Sequence, residues 1–224
     1  RLLARGQAVM IAKAMAGKPV KMLWTREEEI QHGLYRPASL MRFKAGMNAN
    51  GKVDALHIRV SAPSILSTLL KLPLPKGIDG QAVASFNDHP YDIPNTLVDY
   101  AQRNTNVPVG FWRSVGHSHQ AFFKESFIDE CAHAAGKDPY QFRRNLLLNH
   151  PRELKVLDLA AKKSNWDQPL SPTPDGGKMA RGIALHECFG SAVAQVVEVS
   201  MNDQGVVRVH RVVCAIDCGT VVNP

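Results

Sequence analysis

Two short turns that both begin with Asn and end with Gly constrain this chain most, because each fixes how the apolar runs beside it can pair. Asn-Ala-Asn-Gly at 48–51 separates the alternating runs 40–47 and 53–60. Asn and Gly both tolerate the positive φ that a tight hairpin turn requires. Asn-Asp-Gln-Gly at 202–205 stands in the same way before the run 206–216. The turns predict two similar antiparallel hairpins, although the echo is too short to indicate a repeat.

A loop that leads into a helix occupies the middle of the chain, at 107–136. Its first part carries Phe111, Trp112 and Arg113 among glycines and prolines. Its second part repeats apolar residues at helical spacing and closes at Gly136. Unpaired backbone N–H groups at a helix start, together with the helix dipole, favour an anion. The junction is therefore a candidate anion site, and an ordinary loop before a core helix is the alternative interpretation.

Capping and breaker residues predict most of the remaining elements. Thr25 with Glu28 three residues later forms a capping box, and Asp138 before Pro139 is a favoured helix start. Prolines and glycines crowd the stretch 62–90, which we predict to be irregular and to be a lid, a partner contact or a disordered segment. We further predict helices at 7–16, 26–31, 139–148 and 151–164 and strands at 20–24, 96–102, 182–188 and 192–200.

The character of the chain changes after a Pro- and Gly-rich stretch at 169–177, beyond which only strands are predicted. We therefore predict an α+β fold in two parts, with antiparallel and mixed sheets, hairpins and packed helices. A first, partial domain is expected at 1–165, a linker at 166–178 and the start of a second domain at 179–224. Open strand edges in the second part could pair with another copy, which would give a homodimer.

The composition is that of a globular protein and restricts the functional classes. Hydrophobic residues make up 45% of the chain and charged residues 21%, and no apolar run reaches the length of a membrane span. The net charge of +7 fits an anionic partner. The basic residues are scattered without interleaved aromatics, so nucleic acid is not expected. Their densest cluster is interpreted as a solvated helix face and comprises Arg143, Arg144, Arg152 and Lys155.

Metal-ligating residues do not form a strong pattern. The chain has four cysteines and no C-x-x-C. Cys131 falls on the apolar side of the predicted helix, so we expect a small buried hydrophobe. Cys214 and Cys218 have only a weak metal spacing, and His117 and His119 point to different sides of a helix. No protein-ligated metal site is expected.

Two further positions each allow a functional and an ordinary interpretation. Pro37 forces Arg36 away from helical geometry. An arginine held in this way can point into a cleft, or it can be a surface arginine. Asp217 and Gly219 follow the last predicted strand, where functional residues often collect. A strand that simply runs into a turn explains them equally well.

Several blocks of the sequence resemble the large, molybdenum-cofactor-binding subunit of the xanthine dehydrogenase and aldehyde oxidase family. The nearest branch contains the isoquinoline 1-oxidoreductase beta subunit and bacterial aldehyde dehydrogenases. The resemblance covers nearly the whole chain, and the Trp-Arg-Ser-Val-Gly block at 112–116 is specific to this branch. The five blocks are Lys18–Glu28, Tyr35–Ser39, Val109–Ser118, Leu185–Ser191 and Val213–Pro224.

This resemblance implies a molybdenum–pyranopterin cofactor, in the cytosine dinucleotide form, and the oxidation of an aldehyde or N-heterocycle with water-derived oxygen. Electrons would pass to a small iron–sulfur (2Fe-2S) subunit and then to a further acceptor. Arg36 matches a substrate-side arginine that stabilises developing negative charge. The residues that the resemblance places against the cofactor are Trp112, Arg113, Ser114, Val115 and Gly116.

The resemblance also implies parts that the printed sequence does not contain. A Gly-rich loop is expected before Arg1, and a Gly-x-Gly-Glu segment with the general base is expected after Pro224. Glu187 does not match the context of that base. We therefore expect an internal fragment that by itself holds no cofactor and does not turn over. A non-catalytic module for subunit association or anion binding is the alternative, and a bacterial periplasmic or cytoplasmic location stays open.

Overall fold

The structure, a computed structural model, describes residues 2–173 and 178–223. The chain divides into two compact units, of which the first ends at Tyr35. The predicted linker at 166–178 includes residues 174–177, which lie outside the described residues. The predicted domain boundary there stays a prediction.

The first unit consists of two helices, α1 (Leu2–Ala14) and α2 (Arg26–His32). The side chain of Thr25 caps α2 by accepting a hydrogen bond of 3.2 Å from the backbone N–H of Glu28, as predicted. The predicted strand at 20–24 was wrong. Its side chains do alternate in exposure, but no strand among the described residues pairs with this stretch. Alternation without a partner does not make a strand.

The second unit begins with a three-stranded sheet made of β1 (Leu40–Met47), β2 (Val53–Ala62) and β3 (Asn95–Gln102). The order is β1-β2-β3. The first pair is the predicted antiparallel hairpin, whereas β2 and β3 run parallel. A parallel pair needs a long crossover connection.

That crossover contains helices. It holds α3 (Ile65–Thr68), a 3-10 turn at Pro75–Gly77 and α4 (Gly80–Asn87). The prediction of an irregular stretch at 62–90 was therefore wrong. Its prolines and glycines stand at helix ends or between helices, and the carboxylate of Asp79 caps α4 through a backbone N–H at 2.8 Å.

Three helices follow in the order α5 (His117–Ala134), α6 (Pro139–Asn145) and α7 (Pro151–Ser164). Gly136, with a φ of 62°, follows the end of α5. Glycine adopts this left-handed conformation without strain, as the predicted cap requires. Asp138 caps α6, which confirms the predicted helix start.

A second sheet is formed by β4 (Met179–Cys188), β5 (Ser191–Met201) and β6 (Val207–Asp217), all antiparallel. The similarity predicted for the two hairpins is confirmed. In both turns the Asn side-chain oxygen, of Asn48 or Asn202, accepts hydrogen bonds from the backbone N–H groups two and four residues further on.

Two apolar clusters hold the second unit together. The larger joins α5, α6 and α7 to the second sheet. The smaller packs α4 against Leu56, Ile58 and Val60, which alternate along one face of β2. Phe127 of α5 contacts both clusters and stacks on Phe43 with a centroid distance of 5.0 Å. The α+β prediction is confirmed, and none of the described helices is long and apolar enough to cross a membrane.

Candidate functional site

The loop before α5 makes a tight left-handed turn. Ser114 has a φ of 67° and Val115 a φ of 48°. L-residues rarely adopt this region, and a β-branched residue is strained there. Two backbone hydrogen bonds close the turn, from Val115 N–H to Trp112 O at 2.9 Å and from His117 N–H to Ser114 O at 2.8 Å. Strained turns of this kind cluster at ligand-binding sites.

Gly116 lets the start of α5 approach α4 closely. A Cβ at this position would lie 2.5 Å from the carbonyl oxygen of Gln81 and 2.6 Å from Nε2 of Gln120. Gln120 is fully buried and links the two helices. Its Nε2 donates to the carbonyl of Ala82 at 2.7 Å, and its Oε1 accepts from the N–H of Ser85 at 3.2 Å. Any side chain at position 116 would therefore clash with its surroundings, and glycine avoids this clash.

The guanidinium of Arg36 holds the loop. Nη1 donates to the carbonyl oxygen of Val115, and Nη2 donates to that of Arg113 at 2.8 Å. The structure thus brings Arg36 together with the predicted loop residues 112–116. Its hydrogen bonds stabilise the turn, and its substrate-side role stays a prediction.

The outer side of the loop carries aromatic and basic side chains. Trp112 is 56% exposed and Phe111 46% exposed. Arg113 is also exposed, and α5 begins without a side-chain cap. The first backbone N–H groups of a helix have no partner within the helix. Aromatic surface, a cation and a helix start together suit an anionic ligand that carries a ring system.

A buried cluster of ionisable side chains on α5 and α6 lies beyond this loop and was missed by the sequence reasoning. Lys124, Glu125 and Arg143 are each at most 5% exposed. Arg143 donates to Glu125 at 2.9 Å and to Asp129 at 2.5 Å. The interpretation of Arg143 as part of a solvated face was therefore wrong, because two carboxylates compensate its charge. One sequence signal could have revealed the burial of Lys124. This lysine lies four residues before the buried Ile128, and residues at this spacing share one side of a helix.

A line of polar atoms connects this cluster to the start of α5. Nδ1 of His117 lies 3.0 Å from Oγ of Ser85 and 3.2 Å from Nε2 of His186. The second ring nitrogen of His186 lies 3.3 Å from Nζ of Lys124. Burial lowers the pKa of both His117 and Lys124. Burial lowers the pKa of His186 to about 4.

Three other predicted positions have structural explanations. His119 lies on a different side of α5 from His117, as predicted, and its Nε2 is 3.3 Å from Oγ of Ser39. Cys131 is buried, and burial raises the pKa of its thiol to about 11, which confirms a small hydrophobe. Asp217 accepts from Arg152 at 3.0 Å and so ties the end of β6 to α7. Within residues 2–173 and 178–223, no cluster of His, Cys, Asp and Glu could hold a metal ion.

The fold is a mixed α+β domain with a candidate anion site at its loop–helix junction, and comparison with known proteins identifies its family. Residues 4–147 match the molybdopterin cofactor-binding domain family. The matched range includes the loop at 112–116, α5 and the whole first sheet. The chain belongs to this family, and the resemblance stated from the sequence is confirmed.

Individual relatives are longer than this chain. It is 31% identical over 226 residues to isoquinoline 1-oxidoreductase subunit beta of Brevundimonas diminuta, covering 97% of this chain and 28% of that protein. It is 27% identical over 241 residues to the membrane-bound aldehyde dehydrogenase (pyrroloquinoline-quinone) of Gluconacetobacter polyoxogenes, covering 97% and 31%. Its fold is similar to quinoline 2-oxidoreductase from Pseudomonas putida 86, with a TM-score of 0.61, 18% identity and coverage of 91% and 30%. The chain thus spans less than a third of each of these proteins.

Proposed function

We propose that this chain forms part of the molybdopterin site of a molybdenum hydroxylase that oxidises an aldehyde or an N-heterocycle. The observation that carries this proposal is the loop 112–116. It joins a strained turn, an exposed Trp112 and an exposed Arg113 directly to a helix start without a side-chain cap. The same loop lies within the residues that match the molybdopterin-binding family.

The residues of the loop fit this cofactor chemically. Arg113 and the positive end of the α5 dipole suit a pyranopterin phosphate. Trp112 offers a rigid aromatic surface to a flat ring system. Ser114 and Val115 shape the turn, and Gly116 keeps it close to α4.

The bound cofactor supplies the redox chemistry and the transfer of water-derived oxygen. The residues of this chain bind the group and orient it. Arg36 acts by holding the carbonyl groups of the loop, so that the N–H groups and side chains of residues 112–116 keep one arrangement. The cytosine dinucleotide form, a 2Fe-2S subunit and a downstream electron acceptor belong to the same proposal.

The names of two relatives support the two substrate classes, since one is an isoquinoline oxidoreductase and the other an aldehyde dehydrogenase. The second name also includes pyrroloquinoline quinone. The family match favours molybdopterin for this chain. The test is to purify the full-length, cofactor-loaded protein that contains this chain, measure its molybdenum and quinone contents, and identify the released pterin by mass spectrometry. Molybdenum with a pterin cytosine dinucleotide supports the proposal, whereas quinone without molybdenum contradicts it.

A second candidate is a module for subunit association. The exposed apolar side chains on β6, an edge strand of the second sheet, favour it. They are more than half exposed and comprise Val207, Val209, Val212 and Ile216. An edge strand of this kind can pair with another chain, which is how the predicted homodimer would form. Sedimentation analysis that gives a monomer at every concentration would rule this candidate out.

A further inference from the structure

We propose that the amine of Lys124 is uncharged at neutral pH and ends a one-directional chain of hydrogen bonds that starts at Gln120. The chain passes through Ser85, His117 and His186, whose successive polar atoms lie 3.0 to 3.3 Å apart. Four of the five side chains are buried, so their polar atoms depend on one another for hydrogen-bond partners. Whether each group donates or accepts a hydrogen bond therefore determines which of the two the next group does.

Gln120 sets the direction. Its Nε2 lies 2.7 Å from the carbonyl oxygen of Ala82, which can only accept. Its Oε1 lies 3.2 Å from the N–H of Ser85, which can only donate. The orientation of the amide is therefore fixed. The same Oε1 is 3.0 Å from Oγ of Ser85. An amide oxygen cannot donate, so the single hydroxyl proton of Ser85 lies between these two oxygens.

Ser85 has no second proton, so its Oγ must accept from His117. Nδ1 of His117 lies 3.0 Å away and therefore carries a hydrogen. This nitrogen is also 3.2 Å from Nε2 of His186, so its one hydrogen is shared between the two contacts and Nε2 of His186 must be an acceptor. A neutral imidazole whose Nε2 accepts carries its hydrogen on Nδ1. Both histidines are thus assigned the Nδ1–H tautomer.

The last contact decides the state of the lysine. Nδ1–H of His186 points at Nζ of Lys124, 3.3 Å away. An ammonium group has three donors and no acceptor, so two hydrogens would meet there. The neutral amine has a lone pair that receives the hydrogen. The direction that starts at Gln120 therefore assigns the uncharged form to Lys124.

The surroundings of Lys124 agree with this assignment. Its side chain is 3% exposed, and burial lowers its pKa. The Oε1 atom of Glu125 is 3.9 Å from Nζ, which is longer than a hydrogen bond. The Oε2 atom of Glu125 already accepts from Arg143 at 2.9 Å and from the N–H of Leu185 at 3.0 Å. Besides the two histidines, the titratable groups that face this amine are Asp88, His89, Tyr91, Glu125, Arg143 and Glu187.

The hydrogen-bond chain can carry one proton to the amine of Lys124, and the number of protons is conserved at each step. A proton bound at Nε2 of His117 releases the one on Nδ1 to Nε2 of His186, which releases its own Nδ1 proton to Nζ of Lys124. One proton enters at His117 and one ammonium forms at Lys124. His117 is the first residue of α5 and follows Gly116, so under the proposed function the entry point adjoins the cofactor loop. The assignment of the neutral amine does not depend on that function.

Nuclear magnetic resonance of protein labelled with ¹⁵N in lysine and histidine tests the proposal directly. At pH 7.5 we expect two hydrogens on Nζ of Lys124 and an Nδ1–H tautomer for both His117 and His186. Three hydrogens on Nζ, or an Nε2–H tautomer at either histidine, would overturn the proposal. This measurement uses the unaltered chain and needs no variant to fold.

Two variants separate a relay from simple packing. Lys124→Met keeps the volume but cannot accept, so Nδ1–H of His186 loses its partner and its ¹H and ¹⁵N shifts should change, while His117, set by Ser85, keeps its tautomer and its shifts. Ser85→Ala removes the acceptor of His117, whose tautomer should then become mixed. Lys155→Met, on the exposed side of α7, is the matched control and should change neither ring. Unchanged ring spectra in the folded Lys124→Met and Ser85→Ala proteins would contradict the relay.

Discussion

The guanidinium of Arg36 donates a hydrogen bond of 2.8 Å to the carbonyl oxygen of Arg113, 77 residues further along the chain. The same side chain donates to the carbonyl oxygen of Val115. Gly116, the next residue, brings the loop into close contact with α4. The strained turn is thus held both by an arginine and by tight backbone packing. This double support explains how a loop with two consecutive positive φ angles keeps one conformation.

Removing the arginine should loosen the loop. In Arg36→Met the carbonyls of Arg113 and Val115 lose two hydrogen bonds from a charged donor, each worth about 1.5–3 kcal/mol. We expect faster hydrogen exchange at the N–H groups of Val115 and His117, which close the turn. Arg42→Met, at an exposed position on β1, is the control. Equal exchange rates in both variants would show that Arg36 does not hold the turn.

Adding one methyl group at Gly116 should destabilise the fold. The new Cβ would lie 2.5 Å from the carbonyl oxygen of Gln81, which belongs to the backbone of α4 and cannot move freely. Overpacking of this kind costs about 1–3 kcal/mol. We expect Gly116→Ala to lower the urea midpoint. Gly80→Ala, in α4 with open space around it, should leave stability unchanged or raise it. The idea fails if the two variants are equally stable.

Arg143 and its neighbour Arg144 should differ strongly in their effect on stability. Arg143 is fully buried and compensates Glu125, so Arg143→Met leaves a buried carboxylate without its main partner. Breaking such a pair costs about 3–5 kcal/mol. Arg144 pairs with Asp158 at 3.2 Å but is 39% exposed, so Arg144→Met should cost only about 0–1 kcal/mol. Urea unfolding of both variants measures the difference, and similar costs would refute the assignment of Arg143 to a buried pair.

Stability should fall as the pH is lowered from neutral toward 4. Burial lowers the pKa of His89 and of His186 from 6.5 to about 4. Between these two values the unfolded chain binds more protons than the folded one, so stability present above pH 6.5 is lost on acidification. Urea midpoints at pH 7.5, 6.5 and 5.5 measure this slope. His186→Gln should make the slope shallower, and a pH-independent midpoint in the original chain would contradict the assignment.

Local signals in the sequence were sufficient for most elements. Thr25 and Asp138 cap their helices as predicted, because a side chain that accepts from a nearby N–H acts over one turn only. The two hairpins were also predicted, since Asn48 and Asn202 determine their turns by hydrogen bonds within five residues. These features depend on neighbours along the chain.

Features that depend on distant partners could not be predicted in this way. Burial of Lys124 and Arg143 is permitted only by partners such as Glu125 and His186, which other elements bring close. The helices within 62–90 form because a parallel crossover packs them on the first sheet. Arg36 was singled out, but its contact with the loop 112–116 arises from tertiary structure. The resemblance to a known family therefore predicted a site at 112–116, whereas the structure shows how that loop is held.

The molybdenum content of the cofactor-loaded protein with and without the outer residues of the loop tests the central claim most directly. Trp112 and Arg113 are both exposed, so replacing them with alanine should leave the fold intact. Loss of one charge-assisted contact of about 1.5–3 kcal/mol weakens binding at least about tenfold. We therefore expect molybdenum to be lost on gel filtration from the Trp112→Ala/Arg113→Ala protein and retained by Arg208→Ala, an exposed arginine on β6. Full molybdenum retention by the folded double variant would contradict the assignment of this loop to the cofactor.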